Sequence, residues 1–562
     1  MQRRLLLAVA LVFASSSISA GTGENDSLGN LFGRERTDLS GEWRYIVDPL
    51  QMGLSTDESS RYLFAREGGQ EPGGPLLEFD WNRHRVMEVP SDWNSASPKL
   101  ELYQGTVWFR RNFDFSPDPD KRYFLYFEAA DYHARVSFNG DPIGEHEGGF
   151  TPFAFEITDR FSASGHNTTT IAVDNTHTAQ TVPEVAYDWW NYGGITRPAW
   201  IVEVPTTFVH SYFIRLADDG KNIAVDLRLD GSGAVGADVS VSIPELALEA
   251  TAKTGKGGYA SFTLTPDSME RWSPSNPKLY RVVVTSPLNT VEEEIGFRTV
   301  EVEGREILVN GEPTFLRGIS IHEEPLGPVG TRRMDWAQAD ALLRLAKEEL
   351  GCNFVRLAHY PHSERMTRTA DKLGLLVWSE VPVYWAIAYD HPPTRELAVR
   401  MVSENVLRDR NRASIIVWSV ANETPINDAR NAFLREMIDR VRELDPTRLV
   451  SAALDRTRKE GDVIIVDDPL GKHLDILAVN EYEGWYGNRH IEQITDIAWK
   501  TPYDKPVIFS DFGAGAKAGS HGPTLHRWTG ECQEDCYRQT LAMAENIPGR
   551  RGASPGCLRE CR

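Results

Sequence analysis

The chain has 562 residues, 41% of them hydrophobic and 25% charged, and a formal charge of −21. That length is too great for one core and predicts three or four domains. The acidic balance argues against a nucleic-acid partner and against binding to anionic membranes, and it says little about a sugar.

Residues 1–20 read as a secretory signal peptide. Arg3 and Arg4 form its positive end, residues 5–14 its apolar run, and Ser15 to Ala20 a small-residue exit. The expected location is therefore secreted or periplasmic. No later segment reaches eighteen apolar residues, so no membrane-spanning helix is expected. A leader segment, 21–38, precedes the first domain.

From 39 to 205 short alternating runs are separated by turn signals. Val107-Trp108-Phe109-Arg110-Arg111 and Ala134-Arg135-Val136-Ser137-Phe138 are two of them, and Asn139-Gly140 is the clearest hairpin signal. This predicts a β jelly roll or sandwich. Residues 206–300 form a second all-β unit with strands expected at 223–229, 239–243 and 280–284. Its size and pattern suit an immunoglobulin-like sandwich.

After Glu301 strands and helices alternate. Strands are expected at 315–321, 353–358, 375–379, 414–421, 449–453, 476–480 and 507–511, with helices such as 335–349 and 431–444 between them. Seven βα units in series predict a parallel barrel of the (β/α)8 TIM type over 301–562. An eighth strand would fall near 551–558. The chain stops at Arg562, which leaves no room for a closing helix, so the barrel is expected to be C-terminally short.

Of five cysteines, Cys352 sits in an apolar strand and reads as core. Cys532, Cys536, Cys557 and Cys561 crowd the last thirty-one residues. In an exported protein they suit two disulfides; their spacing also loosely fits zinc. Asn25-Asp26-Ser27 and Asn167-Thr168-Thr169 are glycosylation sequons.

The chemistry gathers at two predicted strand ends. Ile415 to Ala421 is short, β-branched and aromatic, and it runs out into Asn422-Glu423. Pro506 to Ser510 runs out into Asp511. Active sites of TIM barrels lie at this end of the strands, and glycoside cleavage needs two carboxyl groups. Glu423 is the candidate acid/base and Asp511 the candidate nucleophile. Asp is one methylene shorter than Glu, which puts its reach in question. His322, Arg356, His359 and Tyr482 fall at or just past strand ends. Arg356 suits holding Asp511 ionised. The histidines and Asn422 suit sugar hydroxyls, although a histidine is as readily structural. Trp485 and Tyr486 suit stacking on a sugar face or plain core packing. Glu380 suits either a supporting role or a helix cap.

These motifs, taken with Tyr103-Gln104-Gly105-Thr106-Val107-Trp108, His146-Glu147-Gly148-Gly149-Phe150-Thr151-Pro152-Phe153, Asp188-Trp189-Trp190-Asn191-Tyr192-Gly193-Gly194-Ile195-Thr196-Arg197 and His359-Tyr360-Pro361, resemble glycoside hydrolase family 2, the β-galactosidase and β-glucuronidase family. The resemblance covers nearly all of 39–562. It implies a jelly roll, an immunoglobulin-like sandwich and a catalytic TIM barrel, with a retaining exo-β-glycosidase activity and no cofactor or metal. It implies Glu423 as acid/base and Asp511 as nucleophile, where the family has Glu. It implies Asp188 reaching the sugar from the jelly roll, and Asn480, Tyr482, Trp485 and Tyr486 as a glucuronidase-like segment. Gly556 stands where the family usually carries a Trp, and the sequence ends before the Asn-x-Lys segment with which glucuronidases hold a substrate carboxylate. The expected partner is a β-linked oligosaccharide or glycoside, with homo-oligomer formation left open. The rival expectation is a carbohydrate-binding relative impaired in catalysis.

Overall fold

The computed structural model describes residues 28–55, 62–65, 80–83, 85–327, 330–455, 458–486, 489–556 and 558. The expected signal peptide, the first sequon, Cys557 and Cys561 lie outside the described residues.

The first unit is a two-sheet antiparallel sandwich. Its four-stranded sheet runs Arg36–Asp38, Ala199–Pro205, Lys121–Phe127, Phe153–Glu156. Its six-stranded sheet runs Val86–Val89, Gly41–Asp48, Thr106–Asp114, His166–Asp174, His133–Phe138, Asp141–Glu147. Alternating inward residues, among them Trp43, Phe109, Leu125, Val136 and Ile171, fill the space between the sheets. The Asn139-Gly140 turn joins two of the strands, with both residues at positive φ, 50° and 84°. The second sequon is structural: Asn167 is buried, and its amide nitrogen donates to the carbonyls of Phe115 and Gly165.

The second unit packs a three-stranded sheet (Thr207–Leu216, Ile223–Gly231, Tyr259–Leu264) on a four-stranded one (Leu248–Lys253, Asp238–Ile243, Tyr280–Thr285, Thr290–Ile295). Strict alternation in Ile223, Val225, Leu227 and Leu229 supplies its core.

The third unit is a closed parallel barrel, β1 (Leu316–Ile321), β2 (Phe354–Leu357), β3 (Leu376–Glu380), β4 (Ile415–Asn422), β5 (Leu449–Leu454), β6 (Leu477–Asn480), β7 (Val507–Asp511) and β8 (Arg550–Ala553). The closing strand therefore forms although no helix follows it among the described residues, and it ends five residues earlier than the sequence reading. Pro555 and Gly556 lie past the ladder yet stay tied to it: Ser320 N donates to the Pro555 carbonyl at 3.0 Å, and Gly556 N to the Phe512 carbonyl at 2.8 Å. Both faces of β4 are buried, as its unbroken apolar run requires. The hairpin Val300–Glu303 with Glu306–Val309, together with Trp272, seals the end of the barrel opposite the active face, against Leu316, Phe354, Trp378 and Ile508. The helix Trp336–Arg344 opens on an Asp335/Gln338 capping box, and Gly374 ends Glu364–Leu373 at φ 71°.

Buried ion pairs and a hydrogen bond to a buried carboxylate lock the sandwiches to the barrel. Glu128 accepts from Arg365 at 2.6 Å, Arg197 donates to Glu323 at 2.6 Å, and Thr151 donates to Glu404 at 2.6 Å. From the second unit, Glu293 accepts from Arg368 at 2.6 Å and pairs with Arg412 at 3.1 Å. Cys352, Cys532 and Cys536 are buried thiols without a disulfide. Cys557 and Cys561, the other two cysteines of the expected disulfides, are outside the described residues. No described group of His, Cys, Asp and Glu is arranged to hold a metal ion, and no described helix is long and apolar enough to cross a membrane.

Candidate active site

The ends of strands β2 to β7 converge on a hollow of about 410 Å³. Glu423, Asp511, Asn422, Asn480, Tyr482, Tyr486, His359 and Asp188 line it. Asp188 arrives from the jelly roll, on the irregular segment between Asp174 and Ala199. Three expected site residues stand back from this hollow: Arg356, which reaches it through Asp511, and His322 and Trp485. His322 packs behind His359, ring centroids 5.3 Å apart, with its Nδ1 bonded to the Tyr360 hydroxyl at 3.1 Å. Burial, then His359 and nearby arginines, hold His322 well below the ordinary imidazole range, so it stays neutral. Trp485 is buried against Trp528 and under the Arg527 guanidinium, beside a neighbouring hollow.

Glu423 sits one residue past β4 at φ 49°, in the left-handed region. A non-glycine residue there costs roughly 1–3 kcal/mol and persists only when its surroundings impose it. They do so here. Glu423 N donates to the Ala453 carbonyl at 2.8 Å, and Asn422 N to that of Val383 at 2.9 Å. Trp385, also left-handed at φ 51°, donates its backbone N to the Asn422 carbonyl at 3.0 Å and its indole N to Glu423 Oε2 at 2.9 Å. Asn480 Nδ2 donates to Glu423 Oε1 at 2.8 Å. Both carboxyl oxygens are thereby aimed before any ligand arrives.

Asp511 is held by Arg356, whose Nη1 donates to Oδ2 at 3.2 Å. The same guanidinium donates to Glu380 at 3.0 Å and to Asn422 Oδ1 at 2.6 Å. Glu380 is thus a supporting residue. Burial opposes its ionisation, but the charge of Arg356 and the bonds from His359 and Trp378 hold its carboxyl down at about 2. For Asp511 the balance tips the other way. Burial raises its carboxyl, and Arg356 and His359 only partly offset that.

One buried atom in this network lacks a partner, Asn422 Nδ2, whereas the Asp511 carboxyl takes a bond from the Tyr482 hydroxyl. A buried polar atom left unpaired costs about 1–3 kcal/mol, and both residues line the hollow. A Cβ at Gly556 would stand 2.9 Å from Asp511 Oδ1 and 3.7 Å from the Tyr482 hydroxyl, so a side chain there would crowd the Asp511 carboxyl.

The lining also includes Tyr384, Trp385, Asp455 and Glu481, which sequence reasoning missed. Trp385 and Tyr384 lie on the loop after β3, and only Glu380 at that strand's end hinted at them. Asp455 follows β5 by one residue, the same position at which Glu423 follows β4.

Three family descriptions match in order: "Glycosyl hydrolase 2 galactose-binding domain-like" over 92–200, "Glycosyl hydrolases family 2" over 207–298, and "Glycosyl hydrolases family 2, TIM barrel domain" over 300–541. A β-glucuronidase of Paenibacillus borealis is 27% identical, across 89% of this chain and 87% of its own length. Among solved structures, a Ruminococcus gnavus β-glucuronidase superposes with TM-score 0.79 at 22% identity, covering 94% of this chain and 92% of that one. A β-galacturonidase from Eisenbergiella tayi does so with TM-score 0.76 at 22% identity, covering 94% and 90%. At these identities the two structures speak to the fold.

Proposed function

The chain belongs to glycoside hydrolase family 2, and from that premise we propose that it is an exported exo-β-glycosidase of β-glucuronidase type, cleaving a terminal β-linked sugar with retention. The observation that carries the reading is one hollow walled by both Glu423 and Asp511, each fixed by its own hydrogen bonds. Glu423 delivers a proton to the glycosidic oxygen as the bond to the anomeric carbon breaks. Asp511 attacks that carbon from the other face and forms a glycosyl ester. Glu423 then takes a proton from water, which displaces Asp511. Arg356 keeps a positive charge beside Asp511 through both steps.

The glucuronide reading leans on the relatives' names. A second reading, a neutral β-galactoside, is favoured by one observation. The described lining carries Asp188, Asp455 and Glu481 besides the two central carboxyl groups, and no Lys or Arg. A uronate would meet like charges there.

A panel of 4-nitrophenyl β-glycosides tests both readings, with Glu423→Gln and Asp511→Glu beside the parent. The expected result is cleavage of the glucuronide that falls about 10²–10⁴-fold in Glu423→Gln. Preference for the galactoside establishes the second reading. Sugar binding without turnover in the parent, with turnover in Asp511→Glu, makes the protein a relative impaired by reach. Export is tested by N-terminal sequencing of secreted protein, with Gly21 expected first.

A further inference from the structure

The irregular loop after β3 is knitted to the corner of the chain that carries Glu423. We propose that Trp385, on this loop, is a positioning residue for proton transfer. Its indole fixes the plane of the Glu423 carboxyl, so that leaving groups in need of a proton receive one. The proposal rests on the glycosidase reading above.

The last torsion of a glutamate is broad and roughly two-fold, so its carboxyl plane turns easily. Fixing that turn takes a donor on each oxygen. Asn480 Nδ2 holds Oε1 at 2.8 Å, and the Trp385 indole N holds Oε2 at 2.9 Å. Asn480 belongs to the barrel wall, at the end of β6. Its Nδ2 also donates to Asn422 Oδ1 at 3.0 Å, and its Oδ1 accepts from Ser510 Oγ at 2.7 Å. The indole comes from a loop instead. Without it, one carboxyl oxygen stays anchored and the other swings.

The loop is built to hold that indole. Trp385 N donates to the Asn422 carbonyl at 3.0 Å, and Tyr384 pairs with Asn422 as a parallel bridge. The Tyr389 hydroxyl donates to the Trp385 carbonyl at 2.9 Å, and the Tyr389 ring rests edge-on against Phe433 at 5.3 Å. The indole lies against the Tyr384 ring, centroids 4.7 Å apart, and Tyr384 meets Trp189 at 5.2 Å and His359 at 5.0 Å. The amide, carbonyl and ring of Trp385 are each held. Core packing does not account for this, because Trp385 is 36% accessible.

The chemistry makes the role separable. In the first step the bond from the anomeric carbon to the glycosidic oxygen breaks and Asp511 bonds to that carbon. The electron pair left on the departing oxygen takes the Glu423 proton. A dinitrophenolate is stable as an anion and departs without that proton, whereas a plain phenolate departs slowly unless it is protonated. kcat/KM covers binding through this step. The ratio of kcat/KM for the phenyl glycoside to that for the 2,4-dinitrophenyl glycoside of the same sugar therefore reads proton delivery. Damage to folding or to sugar binding cancels from it.

The test measures this ratio for the full chain and for Trp385→Phe, Tyr389→Phe and Glu423→Gln. Trp385→Phe is expected to lower the ratio about tenfold, within the roughly hundredfold that a displacement of about 1 Å can cost. Tyr389→Phe keeps its ring on Phe433 and lies outside the described lining, and it should lower the ratio by a smaller factor. Adding Trp385→Phe to Glu423→Gln should change the ratio less than about twofold, because the carboxyl through which the indole acts is gone. Equal losses on both substrates in Trp385→Phe, or the same drop in ratio with and without Glu423, overturn the proposal and leave the glycosidase reading standing. A parent that cleaves the dinitrophenyl glycoside alone also overturns it, since there is then no proton delivery to position. A parent that cleaves neither substrate, with Asp511→Glu equally silent, removes the glycosidase reading and this proposal with it.

Discussion

Asp511 is the residue on which activity turns, and its surroundings set a pH signature. Burial raises its carboxyl above the ordinary value and Arg356 draws it back only in part. Attack requires the ionised form, so kcat/KM should fall as pH drops through this raised value. Removing the guanidinium takes away a group that favours ionisation, and the fall then begins at higher pH. We expect the acid limb of the kcat/KM profile to move to higher pH in Arg356→Gln, and less in Arg356→Lys, which keeps a charge. An unmoved limb would separate Arg356 from Asp511 function. The two carboxyl positions and Arg356 were legible because each closes an apolar strand or sits within one. Trp385 was not. Its contact with Glu423 depends on two left-handed residues meeting across a loop, and neither is a glycine that would have signalled a positive φ.

Barrel closure at β8 depends on a close approach of backbones. A Cβ at Gly552 would stand 2.9 Å from Leu316 Cβ and 3.1 Å from the Leu316 carbonyl oxygen, across the β1–β8 seam. Gly552→Val should cost about 1–3 kcal/mol, as overpacking of a filled core does, read as a lowered denaturation midpoint with unchanged slope. Strands β1 to β7 were readable as apolar runs with turn signals on either side. The eighth, expected near 551–558, overlaps the observed Arg550–Ala553 only in part, because Arg550, Arg551 and Gly552 carry little strand propensity to mark it. It is a strand because β1 and β7 offer it unpaired edges.

Across the whole molecule, charge is buried where the units meet. Glu293 belongs to an edge strand of the second sandwich, yet its partners Arg368 and Arg412 belong to the barrel. Burial opposes its ionisation, and the two arginines outweigh it, holding the carboxyl down from 4.5 to about 2. The stability it contributes is thus fully present above about pH 4.5 and is lost as pH falls toward 2. Removing one partner of a buried pair leaves the other charge stranded at about 3–5 kcal/mol. Glu293→Gln should therefore lose that much at pH 7 by chemical denaturation, and lose less relative to the parent at pH 3.

What the chain alone determined is the series of units and the two strand-end carboxyl groups, since both follow from local periodicity and from where apolar runs stop. Tertiary structure decided which residues share the hollow. It set His322 behind His359, buried Trp485 beside a different cavity, brought Asp188 in from another domain and turned Glu380 toward Arg356. Such placements depend on packing between segments far apart in the chain, and no window of sequence contains them.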